Sequence, residues 1–342
     1  MIQIVRKFAE HLRGVRVFDL IVVALLTANL IVTVMVLMRP PKAGQQPILI
    51  VGEDADLADL RYRLEQLEDR VFLTGYSLPE KVTICGRPVP LDNRDVYERL
   101  EREFLSMLNY RFRVVDLLKK STRYFPTIER IFREHGLPDD LKYLIVAESD
   151  LNVKALSSAG ASGIAQFIPT TARRYRLTVD DQMDERRHFE KSLHASAAYL
   201  GDLYGMFHDW PLALAAYNAG EERVKREIVE QGVHDYYRLK LPLETERYVF
   251  RIIAAKLVLS HPEEYGFHPD DEAFYRPIPF DSVRVHVTKP IPIREIARAC
   301  RSTYRDIREL NPELLDNAIP PGIRWIRVPQ GTASIFSASF KG

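Results

Sequence analysis

Glu148 is the residue whose type and setting suggest chemistry. It lies in the run LIVAESDLN, 144–152. Counting back at helical spacing gives Ile145, Leu144 and Leu141 at i−3, i−4 and i−7, one face of a helix. A carboxylate on that apolar stripe loses hydration, which raises its pKa and keeps it protonated near neutral pH unless a cation pairs with it. A protonated Glu is a general acid. Cleaving a glycosidic bond needs such an acid to protonate the leaving oxygen, usually beside a second carboxylate that serves as nucleophile or base. Asp150 is the nearest candidate, but two residues along a helix is about 200°, so it points away. A Glu satisfied in a core by an arginine or a backbone group is the bland alternative.

The elements around Glu148 fit a site. Asp139 and Asp140 after Pro138 offer an N-terminal cap, and Gly136 with Pro138 separates this helix from the one before. Downstream, NVKALSSAGASGIAQFIPTTA (152–172) is a glycine- and serine-rich loop in which backbone can approach a ligand closely. Ser157 and Gln166 offer neutral hydrogen bonds suited to hydroxyls and amides, as on a sugar, rather than to phosphate or carboxylate. Pro169 and two threonines then start another helix.

From Arg94 onward the pattern is helical almost throughout, with Val96, Leu100, Phe104 and Leu108 on one stripe and Ile128, Ile131 and Phe132 on another. Helices are predicted over DVYERLEREFLSML, TIERIFREH, TTARRYR, HFEKSLHASAAYLGDLYGMF, WPLALAAYNAG, EERVKREIVEQ and TERYVFRIIAAKLVLS. No convincing alternating strand precedes about residue 282, so the central domain is predicted to be all-α. After Pro269 the texture changes. Val283, Val285 and Val287 alternate with polar residues, IREIARAC and YRDIRELN are helix-like, and WIRVP closes as a second strand, a small β-α-α-β domain.

The N-terminal end suggests a membrane. Residues 20–38 carry no charge and span roughly 28 Å as a helix, close to the thickness of a hydrocarbon core. A cleaved signal peptide is the rival, but RPPK follows where small residues would mark cleavage. Arg6, Lys7, Arg13 and Arg16 before the segment, against Arg39 and Lys42 after it, favour a cytoplasmic N-terminus. The expected order is a cytoplasmic tail (1–17), a single-pass anchor (18–38) and a linker (39–82). Within the linker, Leu57, Leu60, Leu64, Leu67 and Val71 form a short seam, either a helix packed on its own chain or a weak homodimer contact through 57–71. The 48 Lys and Arg against 47 Asp and Glu leave no field that points to nucleic acid. Only Cys85 and Cys300 are present, outside any zinc spacing, so no metal site is indicated.

Taken in order, Glu148 with Ser149, then Ser157, GASGIAQFIPTTA from Gly160, AAYNAGEERV from Ala215 and ETERYV from Glu244 resemble the motifs of the lytic transglycosylases. DVYERLEREF, YFPTIERIFREHGLPDDLKYL and DERRHFEKS resemble their membrane-bound D branch. The resemblance implies a lysozyme-like, goose-type helical fold, with a helical lead-in at 83–135 and a catalytic domain at 136–268. It also implies peptidoglycan as substrate; no cofactor is expected, and the anchor, in a Gram-negative envelope, would place the catalytic domain in the periplasm on the inner membrane. Glu148 would protonate the oxygen between N-acetylmuramic acid and N-acetylglucosamine, then take a proton from the muramyl 6-hydroxyl, leaving a 1,6-anhydromuramyl end. That internal hydroxyl replaces water, so no second carboxylate is expected. Ser157 and Gln166 match glycan contacts, Tyr217 the tyrosine that holds the acid, and Asn218 and Tyr248 groove residues. Ala165 stands where the family usually has an aromatic residue or methionine. Asp184, Arg186 and Arg187 also match, and a structural ion pair is their expected role. The C-terminal module, 283–331, resembles a LysM domain through LNP (310–312) and WIRVPQG, with KPIPI (289–293) replacing the usual Gly-Asp-Thr-Leu loop.

Overall fold

The computed structural model describes residues 76–268 and 274–340, which fall in one compact unit, 67–342. The anchor expected at 18–38 and the seam at 57–71 lie outside the described residues. Among the described residues, no helix is long and apolar enough to cross a membrane.

The chain is mainly helical, with a small C-terminal sheet region. It opens with a tiny ribbon, β1 (Thr83–Ile84) antiparallel to β2 (Arg87–Pro88). This corrects the helical lead-in expected from residue 83. Two-residue strands are too short to show alternation, and the signal is the turn Cys85-Gly86, both at positive φ (50° and 75°), as a two-residue hairpin requires. Ile84 plugs the ribbon into the core at 0% exposure. The Cys85 amide donates to Asp140 Oδ2 at 2.7 Å, and Lys256 Nζ donates to the same oxygen at 2.8 Å. Asp140 thus ties the ribbon to the bundle and caps no helix.

The bundle follows as α1 (Arg94–Asn109), α2 (Arg111–Glu134), α3 (Lys142–Ser149), α4 (Pro169–Arg174), α5 (Phe189–Phe207), α6 (Trp210–Ala219), α7 (Glu221–Gln231) and α8 (Leu243–Ser260). The helix expected to start at Thr127 starts sixteen residues earlier, at Arg111, and runs through Pro126. Burial of Val114, Leu117 and Leu118 ahead of the proline, and of Ile128, Ile131 and Phe132 after it, offsets the lost backbone bond. α8 packs along α1 and also meets α3 and α6, so the short acid-bearing helix is enclosed by longer ones. That matters because eight residues do not hold a helix alone.

The C-terminal module is built as the sequence suggests. β3 (Phe280–Val287) pairs antiparallel with β6 (Gly322–Pro329), bracketing α9 (Ile293–Ala299) and α10 (Tyr304–Leu310). A second short pair, β4 (Ile291–Pro292) with β5 (Ala318–Ile319), and a final helix α11 (Ala333–Ser339) were not legible in the pattern. Val285, Ile296, Ile307, Ile326 and Phe336 form a separate core, and Met183 from the helical domain is buried within it.

Candidate active site

α3 begins after a 3-10 turn, Asp139–Leu141, whose acids make no capping bond to it; Asp139 pairs instead with Lys142 at 2.6 Å. The expected aspartate cap is therefore absent. The helix ends where Asp150 and Leu151 both turn left-handed, φ 50° and 58°. Asp150 tolerates this better than most residues, and Arg113 pins its carboxylate with bonds of 3.0 and 2.7 Å. Asp150 thus lies past the last helical residue, and its carboxylate is bonded to Arg113 and not to Glu148.

Leu144, Ile145 and Val146 are fully buried, and Glu148 is partly accessible at the end of that stripe. Its carboxyl is nonetheless crowded by protein, and desolvation pushes its pKa up to about 7. A hydrogen bond donated by the Tyr248 hydroxyl to Oε1 and the charge of Arg251 pull the other way, while Glu244 adds to the rise. Among the described residues no carboxylate is bonded to Glu148, and Glu244 is itself paired with Arg251. The sequence reading missed these two charges; their signal was the seven-residue spacing that puts both on one face of α8.

Tyr248, buried at 2% exposure, holds the acid. Tyr217 was expected in that role, and this is corrected. Its hydroxyl donates to the Ala165 carbonyl at 2.8 Å and lies 3.1 Å from Ser196 Oγ. Tyr217 remains close enough for the charge of Glu148 to raise its pKa, although burial is the larger cause. Both tyrosines stay protonated, so both are donors. Asn218 accepts from Thr245 Oγ1 through Oδ1 at 2.9 Å, which fixes its amide.

The loop 152–168 folds back through bridges between Leu156 and Ser162 and between Ser162 and Phe167. Ser157 Oγ accepts from the Ala161 amide at 3.0 Å. Gln166, at φ 50°, donates to the carbonyls of Gly163 (2.8 Å) and Ala155 (3.3 Å). Both side chains thus brace the loop, and the Ser157 hydroxyl proton and the Gln166 carbonyl are left to other partners. Ala165 is fully buried, so its methyl offers no surface to a ligand. Gly163, at φ 82°, packs so closely that a Cβ would lie 1.7 Å from the Arg186 carbonyl oxygen. Arg186 is buried with Asp184 at 2.7 Å and donates to the carbonyls of Gly160 (2.7 Å) and Phe167 (3.0 Å). The expected bracing ion pair is therefore present, and it clamps both arms of the loop. Among the described residues no cluster of three or more His, Cys, Asp or Glu could hold a metal.

A protonatable carboxyl held by a tyrosine beside a loop of neutral hydrogen-bonding groups has the chemistry of a general-acid site. Residues 126–239 match the Transglycosylase SLT domain, and residues 282–341 match the LysM-like domain of the lytic transglycosylase MltD. The chain thus carries an SLT domain followed by an MltD-type LysM-like domain. It is homologous to the membrane-bound lytic murein transglycosylase D of Escherichia coli strain K12, 27% identical over 239 residues, 68% of this chain and 52% of that one. The protein of the same name from E. coli O6:H1 matches equally. The chain spans about half the length of these relatives. Among solved structures, the 70 kDa soluble lytic transglycosylase of E. coli aligns at 17% identity and a TM-score of 0.38, over 66% of this chain and 38% of that one.

Proposed function

We propose that this protein is a lytic transglycosylase that cleaves the bond between N-acetylmuramic acid and N-acetylglucosamine in peptidoglycan, with Glu148 as both acid and base. The observation that carries this reading is the Glu148 carboxyl bonded by Tyr248 with, among the described residues, no carboxylate bonded to it, in a setting whose desolvation raises its pKa to about 7. Near neutral pH such a group is present in both forms, so it can give a proton to the leaving oxygen and then accept one. Among the described residues, Glu244, the carboxylate whose charge reaches Glu148, is paired with Arg251, so attack by the substrate's own muramyl 6-hydroxyl supplies the nucleophile. The bond from C1 to the leaving oxygen breaks, the new bond from C1 to O6 forms, and the 6-hydroxyl proton returns to Glu148. The product is a 1,6-anhydromuramyl end. The free Ser157 proton, the Gln166 carbonyl and the Asn218 amide suit the hydroxyls and N-acetyl groups of the glycan, on a lysozyme-like, goose-type fold. Anchoring through 18–38, with the catalytic domain at 136–268 in the periplasm, completes the reading, and the relatives' name, membrane-bound, supports it.

A non-catalytic wall anchor is the competing class. Glu148→Gln separates the two: the enzyme reading expects at least about a 100-fold loss of lytic rate with binding to sacculi retained. Unchanged function in the variant would leave only the anchor.

A further inference from the structure

The LysM-like domain is joined to the helical domain by more than surface contact. Residues 178–185 form a tight turn, closed by bonds between Thr178 and Glu185, with Met183 and Leu314 bridged antiparallel across the domain boundary. The Asp184 amide donates to the Glu313 carbonyl and the Leu315 amide to the Gln182 carbonyl, both at 2.8 Å. Met183 enters the LysM-like core. Beside this ladder Arg327 of β6, 7% exposed, donates to Glu190 at 2.9 Å and lies 3.1 Å from His188. Asp184 looks both ways. Its amide faces the LysM-like domain, while its carboxylate holds Arg186, which clamps the loop 152–168 at Gly160 and Phe167. Lys154, in the same loop, reaches Glu309 of α10 at 2.5 Å.

We propose that the LysM-like domain is a positioning part of the catalytic site. Its docking on Gln182, Met183 and Asp184 presets the loop whose Ala165 carbonyl orients Tyr217 and which carries Ser157 and Gln166. The proposal rests on the function above, but the contact path stands without it. A domain that serves only to grip glycan needs no such link to the loop. Coupling of this kind runs through discrete hydrogen bonds, so it is open to direct measurement.

The test uses the full chain. Glu309→Lys and Lys154→Glu are each expected to lower kcat/KM on a short soluble murein fragment by up to about fivefold, and the double reversal to restore it. Leu314→Ala is expected to speed amide hydrogen exchange across 160–167. Loss on the soluble fragment that the double variant does not rescue would overturn the proposal. So would unchanged exchange across 160–167 in Leu314→Ala, a result that does not depend on activity. A wild-type chain without lytic activity would overturn the proposed function instead, and the exchange experiment would still decide the coupling.

Discussion

At Glu148, burial raises the pKa while Tyr248 and Arg251 lower it, and burial wins. The acid must be protonated to act first, so kcat/KM should fall as pH rises through about 7. Tyr248→Phe removes a bond that favours the charged form, which shifts that descending limb to higher pH. It also loosens the carboxyl, and the maximal rate should drop by about tenfold. A pH profile of the variant checks both; an unmoved limb would remove Tyr248 from the role given to it. Glu148 was legible because a carboxylate on an apolar stripe is anomalous. That Tyr248 rather than Tyr217 bonds Glu148 was not legible, because periodicity gives a helix face and not which hydroxyl reaches an oxygen.

At the scale of elements, the loop 152–168 is held by a glycine and an arginine in addition to Ile164, Ala165 and Phe167, which enter the helical core. Gly163→Ala combines a left-handed φ with a Cβ driven into the Arg186 carbonyl, so it should cost more than about 3 kcal/mol and lower the thermal midpoint sharply. Urea denaturation of the variant measures this, and a cost near that of an ordinary surface change would refute the close packing. The glycines marked the loop in the sequence, but the partner of Gly163 lies more than twenty residues away and left no local signal. Most helices were readable from their stripes. The β1–β2 ribbon was not, being too short to alternate, and Pro126 hid the first half of α2 because local breaking propensity was outweighed by packing on both sides.

At the scale of the molecule, two cores meet at a buried polar seam. Glu313 is 2% exposed with Oε2 unpartnered, and burial pushes its pKa up to about 7. Because this value lies above the unfolded one, its contribution to stability is full below about 4.5 and is lost as pH rises through about 7. Glu313→Gln should therefore stabilise the protein more at pH 8 than at pH 5, by up to about 3 kcal/mol. Thermal midpoints at the two pH values test this, and equal gains would contradict it. The two-domain order was readable from the change of texture after Pro269. The seam was not, since Met183 reads as an ordinary turn residue until the second core is seen around it.

The reaction itself is tested most directly by the mass of its products. Mass spectrometry of muropeptides released from purified sacculi should show 1,6-anhydromuramyl ends, lighter by one water than hydrolysed ends, and none with Glu148→Gln. Reducing muramyl ends from the wild-type protein would mean that water is the nucleophile and that the site is a muramidase.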